Sequence, residues 1–299
     1  MLILLTLLGI IFSATVILTI VLHWRAHCRS VVNLLICNSC LTLLFLGLTV
    51  IFQVSHMNKY EENTIFCRFR AALYLSACMC ASLSYLIQAI SRYFITILYK
   101  YRFLATFRTN IILILLIWVY SFILPALVFI SPSAYQHESE SRMCVLTTKL
   151  FYTSFLVVTL VFIVPISIII TLYFVILRQS TGQSRTYFSQ LATPRMKRTL
   201  KVFRNVMISV IVLAIGGTPY VFCVIMNTFI EIPWQLYSTA FLFISLSATL
   251  NSLALFFINR QIRLLVYKNL HFQQTEYEDT TTDDDQAMPQ TIRMPPTII

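Results

Sequence analysis

Few residues in this chain could do covalent, acid–base or ionic chemistry. There are 8 cysteines, 5 histidines and only 11% charged residues, and the apolar stretches hold neither metal-ligand spacing nor a nucleophile beside a base. Two features stand out. Arg92, within Ser91-Arg92-Tyr93, lies 25 residues after Cys67, roughly 37 Å along a helix at the standard rise. Cys144 lies in a later loop with Glu138, Glu140 and Arg142. The chemistry on offer is a crosslink and recognition by a fixed cation, without bond-making catalysis, so no enzyme and no cofactor are expected.

Positioning these residues requires helices in a membrane. Seven stretches, 1–24, 30–58, 71–91, 109–137, 150–177, 205–230 and 232–259, are each 21 to 29 residues long and free of Asp, Glu, Lys and Arg. About 20 apolar residues cross the roughly 30 Å hydrocarbon core as a helix. Barrel strands would alternate, and these runs do not. At 58% hydrophobic residues, a mean hydropathy of +0.80 excludes a soluble domain of this length. The expected fold is all-α: an integral membrane bundle of seven helices over residues 1–270, including a short amphipathic eighth helix from Arg260 to Leu270, then a disordered tail over 271–299.

Lys59, Arg68, Arg70, Arg142 and Lys149 fall on one side of the spans, and the other seventeen of the 22 basic residues fall opposite. That asymmetry places the N-terminus outside and the C-terminus in the cytoplasm of a multi-pass plasma-membrane protein. The net charge of +11 is then read as attraction to anionic membrane lipid, not to nucleic acid. The first span, with no basic segment before it and with His23, Arg25, His27 and Arg29 after it, reads as retained and not as a cleaved leader. Cys67 and Cys144 lie at the oxidising outer face, so they are expected to pair. Cys28, at the inner face, is a palmitoylation candidate or a bystander thiol. The basic residues from Arg195 to Arg204 are expected to continue the sixth helix below the membrane.

With the cysteine at one end of span three and the arginine at the other, the chain resembles the rhodopsin-like G-protein-coupled receptors over about residues 1 to 270. Their third helix opens with such a cysteine and closes on Asp/Glu-Arg-Tyr. Trp118, Pro165, Tyr173, Pro219 and Asn251 match further positions in order. The resemblance implies a receptor that binds an extracellular ligand and activates heterotrimeric G proteins as helix six moves outward. In it Arg92 and Tyr93 meet the G protein, and Tyr173 contacts Arg92 in the active state. Pro219 bends helix six, and Asn251 belongs to the helix-seven motif.

Departures from the pattern are informative. Ser91 replaces the acid before the arginine, and Thr199 replaces the second acid on helix six, so Arg92 lacks its ionic restraint. Cys-Trp-x-Pro appears as Gly216-Gly217-Thr218-Pro219. The glycines either loosen the Pro219 kink or let a neighbouring helix pack close. Asn-Pro-x-x-Tyr appears as Asn251-Ser252-Leu253-Ala254-Leu255. Tyr74 stands where monoamine receptors carry an aspartate, and span seven has no lysine for retinal, which argues against both classes. Arg70, Tyr74, Gln235 and Tyr237, with Gln88 deeper, are expected around the ligand pocket, beneath a loop bearing Glu138, Glu140 and Arg142. That composition suits a short peptide and also small chemosensory ligands. Thr280 to Thr282 before Asp283 to Asp285 would suit phosphorylation and an arrestin-like partner. The competing readings are a receptor-like scaffold that does not signal and a seven-helix transporter or channel. Against the latter, the spans hold no charge and no internal repeat.

The sodium-binding aspartate of many members of that family corresponds to Leu43, and the helix-one asparagine to Ser13. Ligand-independent activity should therefore be equal in sodium and in N-methyl-D-glucamine at matched ionic strength. A steep difference between the two media would show a sodium site that these residues do not provide.

Overall fold

The computed structural model describes residues 1–23, 30–56, 65–98, 101–131, 133–138, 143–147, 151–187, 194–227, 229–230, 232–258 and 262–266. Six helices are α1 (Leu2–Leu22), α2 (Val31–Val54), α3 (Ile65–Thr96), α4 (Phe107–Ile130), α6 (Pro194–Met226) and α7 (Trp234–Ile258). The remaining helix, α5, runs in three consecutive pieces: Phe151–Val158, a π-helical turn Thr159–Ile163, and Val164–Tyr187. All seven are long and apolar enough to cross a membrane. A 3-10 turn, Arg102–Ala105, precedes α4. Between α4 and α5, strands β1 (Tyr135–Glu138) and β2 (Met143–Leu146) pair antiparallel, Tyr135 opposite Leu146 and Glu138 opposite Met143.

The helix ends follow local chemistry. Ser30 caps α2 by accepting from the Asn33 amide at 3.2 Å, and Thr106 caps α4 by accepting from the Thr109 amide at 3.4 Å, each relieving an amide that has no intrahelical acceptor. Two charge-free stretches mark their helices poorly. The stretch 71–91 is shorter than α3 because Arg68, Arg70 and Arg92 are helical too. The stretch 109–137 overruns α4, which stops at Ile130, and its last residues form β1. The basic residues from Arg195 to Arg204 do belong to the helix containing span six, though their side chains lie outside the described residues, as does Cys28.

Burial is uneven around the bundle. In α3 most side chains from Cys67 to Arg92 are buried, whereas α4 buries only Asn110, Ser121 and Pro125 and leaves many of its large apolar side chains exposed. One core cluster joins Leu46, Val50, Tyr74, Ala77 and Phe241 to Val145 of the hairpin. Another joins α3, α5 and α6 through Tyr85, Ile169, Tyr173, Val206 and Val210. Met1–Ile258 is one compact unit, and Asn259–Ile299 forms a second, in which residues 262–266 are helical. The rest of the expected eighth helix and the tail lie outside the described residues.

Polar bonds between helices fix the register of the bundle. The Trp118 indole donates to Asn38 Oδ1 at 2.9 Å, joining α4 to α2. Ser13 and Ser252 are hydrogen-bonded at 2.9 Å, joining α1 to α7. Thr249 Oγ1 donates to the Leu5 carbonyl at 2.8 Å. Gln88 Nε2 donates to Ser39 Oγ at 2.6 Å, which holds α3 against α2. Pro165 has no amide hydrogen, so the carbonyl four residues earlier, on Val161, loses its helical donor. Ser82 supplies one from α3 at 2.8 Å, at the π-helical turn.

Glycines bring α6 close to its neighbours. A Cβ on Gly216 would sit 2.2 Å from Ser247 Cβ and 3.0 Å from the Phe243 carbonyl oxygen, and one on Gly217 would sit 2.3 Å from the Phe162 ring. Close packing is therefore what these two glycines provide. Gly216→Ala should cost about 1–3 kcal/mol through overpacking, because backbone of α7 lies in the way, and Gly217→Ala less, because a ring tip can swing aside. Thermal denaturation of the purified protein in lipid nanodiscs checks the order. Adding Ser247→Gly to Gly216→Ala should recover part of the loss; equal melting temperatures for all variants would discount the packing account.

Candidate functional site

The hairpin is fastened over one end of the bundle from several directions. Cys67 at the start of α3 is bonded to Cys144 of β2, with their Cα atoms 5.4 Å apart. Gln53 Nε2 donates to the Cys144 carbonyl at 2.9 Å, and Arg70 Nη2 lies 3.4 Å from Cys144 Sγ. The Thr147 amide donates to the Ala134 carbonyl at 2.8 Å, and the Ser154 hydroxyl donates to the Thr147 carbonyl. On the other strand the Tyr135 hydroxyl donates to the Pro125 carbonyl at 3.2 Å; burial pushes its phenol pKa up, keeping it a neutral donor. Arg68 donates to the Phe129 carbonyl and stacks over the Phe129 ring at 4.7 Å.

Beneath this roof lies a cavity of about 110 Å³. Val145 and Leu146 of β2 form its top, Tyr74 and Cys78 of α3 one wall, and Phe162 and Gly217 its far side. Among the described residues no charged side chain lines it.

Of the residues expected around a pocket, Tyr74 lines this cavity and the others are used elsewhere. Arg70 is 2% exposed, with its guanidinium over the Phe66 ring at 5.2 Å and the Phe52 ring at 5.9 Å. It lies on the same helical face as Tyr74, but its long side chain turns to the disulfide. Tyr237 packs with Cys223, Ile232 and Ala240 where α6 meets α7. Gln235 is exposed, and Gln88 is spent on Ser39. Glu140 and Arg142 lie outside the described residues, as does the Glu138 side chain.

At the opposite end of α3, Arg92 is 9% exposed. Its electrostatic neighbour is the Tyr173 phenol of α5, and among the described residues no carboxylate accompanies it. The Ser91 hydroxyl is buried without a hydrogen-bond partner among the described residues. Tyr93 packs against the cluster of Tyr173, Val206 and Val210, which places the end of α3 against both α5 and α6. Thr199 has no described side chain. Pro219 lies inside α6. Asn251 of α7 is fully buried, and neither atom of its amide has a hydrogen-bond partner among the described residues.

Sequence reasoning missed Gln53, Ser82 and Phe162. Ser82 had a readable signal, because Pro165 leaves the Val161 carbonyl without a donor and a neighbouring helix must supply one. Gln53 and Phe162 had none, since which neighbour each meets depends on helix rotation.

The profile for the 7 transmembrane receptor (rhodopsin family) matches residues 13–254. No curated protein matches the chain significantly. The matched span takes in the disulfide, the cavity, Arg92 and Asn251, and the protein belongs to the rhodopsin family of seven-transmembrane receptors.

Proposed function

We propose that the protein is a plasma-membrane receptor with its N-terminus outside. It admits an extracellular ligand to the cavity beneath the hairpin and activates heterotrimeric G proteins by outward movement of α6. The observation that carries this reading is the setting of Arg92. It lies at the far end of α3 from the disulfide, beside Tyr173, where α3, α5 and α6 share one apolar cluster. A shift of α6 away from α3 would open this cluster and free the guanidinium for a partner. The cavity supports the same reading, because its wall includes Gly217 of α6, so a ligand that binds differently in the two arrangements biases the position of that helix.

With Ser91 in place of the neighbouring acid and no carboxylate beside it among the described residues, Arg92 adds nothing ionic to the resting state. The resting and active arrangements are then close in free energy, and ligand-free signalling is elevated. Anionic membrane lipid accompanies the basic surface in the cytoplasm, and an arrestin-like protein is the partner for a phosphorylated tail. The peptide reading drew on Arg70, Tyr74, Gln88, Gln235 and Tyr237 beneath a loop bearing Glu138, Glu140 and Arg142, and of these Tyr74 lines the cavity. One observation favours a second reading, a receptor-like scaffold that does not signal. Ser252 replaces the helix-seven proline and bonds α7 to Ser13 of α1, a tie that would restrain movement of α7.

Ligand-free activation across a panel of Gα subtypes separates these readings. At matched surface expression the parent chain should exceed mock-transfected cells, and Arg92→Ala should fall to their level. Equal activity in parent and variant would remove Arg92 from coupling, and silence in both at verified expression would favour the scaffold.

A further inference from the structure

We infer that the cavity beneath the hairpin selects a small, uncharged, largely apolar ligand of about one ring, carrying a single hydrogen-bond acceptor. Size is the first argument. The space of about 110 Å³ falls below the roughly 300–1,000 Å³ of pockets for drug-sized ligands. It is nearer the engineered cavity of about 150 Å³ that takes benzene. Even a dipeptide exceeds it.

Charge is the second argument. No charged side chain lines the walls among the described residues, and Arg70, one helical turn from Tyr74, is engaged at Cys144 and two phenyl rings. An ammonium or carboxylate entering here would lose its hydration with no counter-charge to replace it.

The third argument is the use already made of the polar groups. The hydroxyls of Ser82, Ser154 and Ser247 donate to the carbonyls of Val161, Thr147 and Ile244. Among the described residues the buried Tyr74 hydroxyl has the Cys78 sulfur as its side-chain neighbour, and sulfur is a weak acceptor. A ligand oxygen would be a better one. Opposite, Phe162 fills the slot that Gly217 leaves and offers its ring to an apolar body.

This inference rests on the receptor reading only for the route by which ligand arrives, so binding is measured without the G protein and Gα activation is read separately. The full chain in phosphatidylcholine nanodiscs is titrated by ¹⁹F NMR with 4-fluorobenzyl alcohol, 4-fluorobenzylamine and 4-fluorobenzoate, which share one skeleton and differ in charge. Empty nanodiscs report partition into lipid. The alcohol should bind saturably, and the two ions at least tenfold more weakly. Ala81→Phe and Val157→Phe, which fill the cavity, should abolish alcohol binding. Tyr74→Phe should weaken the alcohol while leaving 4-fluorotoluene unchanged, a comparison that stands even if both filled variants misfold. Either ion binding as tightly as the alcohol overturns the inference. So does an alcohol signal no greater than that of empty nanodiscs, or one that survives both filling substitutions in folded protein. Saturable alcohol binding without activation of any Gα would retain the ligand class and sink the receptor function. Activation of Gα by a charged ligand that binds tenfold tighter than the alcohol would do the reverse.

Discussion

Hydrocarbon gives a buried polar group no water to bond with, and this deficit organises the bundle. At several positions where a backbone or side-chain group lacks a local partner, a neighbouring helix supplies one. Pro165 illustrates the sequence of causes. Its ring removes an amide, the Val161 carbonyl loses its donor, α5 widens into a π-helical turn, and Ser82 of α3 reaches across to the carbonyl. Bonds of this kind contribute about 0.6–2 kcal/mol each. Their larger effect is on register, because each allows only one rotation and one height of the helix that carries it.

The same rule separates the two ends of α3. Near the hairpin, Arg68 and Arg70 find carbonyl oxygen, sulfur and aromatic faces, so their charges stay at the rim and leave the interior uncharged. At the other end Arg92 has the Tyr173 phenol nearby and, among the described residues, no acid. The cavity lies between them, and its walls draw on α3, α5 and α6 together. A change in its contents therefore reaches the cluster beside Arg92 through helices shared by both sites. Gly216 and Gly217 make that link short, since α6 touches α7 and Phe162 with no side chain of its own between.

Much of this was legible in the amino-acid order. Exclusion of charge from lipid marked all seven spans, and two cysteines at one face marked the disulfide. What failed was anything that depended on helix rotation or on how far a long side chain bends. Arg70 and Tyr74 share a helical face, yet only Tyr74 lines the cavity, because the disulfide and two phenyl rings capture the arginine. Charge counting also located the α3 ends poorly, since an arginine whose head finds partners at the membrane edge does not end a helix. The glycines beside Pro219 were ambiguous for a related reason. Flexibility and close packing place the same demand on the sequence, and only the positions of Ser247 and Phe162 distinguish them.

Ligand size and the unrestrained arginine constrain each other. A compact ligand gains at most about 1.5 kcal/mol per non-hydrogen atom, and usually much less. Only the part of that gain that differs between two conformations moves the equilibrium. Driving a switch from 1:99 to 99:1 takes about 5.5 kcal/mol of differential affinity, nearly half of even the ceiling of roughly 12 kcal/mol for a one-ring molecule of about eight non-hydrogen atoms. A small neutral ligand can therefore operate this receptor only if the two arrangements are already close in free energy. An ionic restraint on Arg92 would add to the gap that ligand must close, and its replacement by Ser91 removes that contribution. On the proposed function, an uncharged, one-ring cavity and an arginine without its acid would belong to one energetic design, in which weak binding suffices because little opposes it.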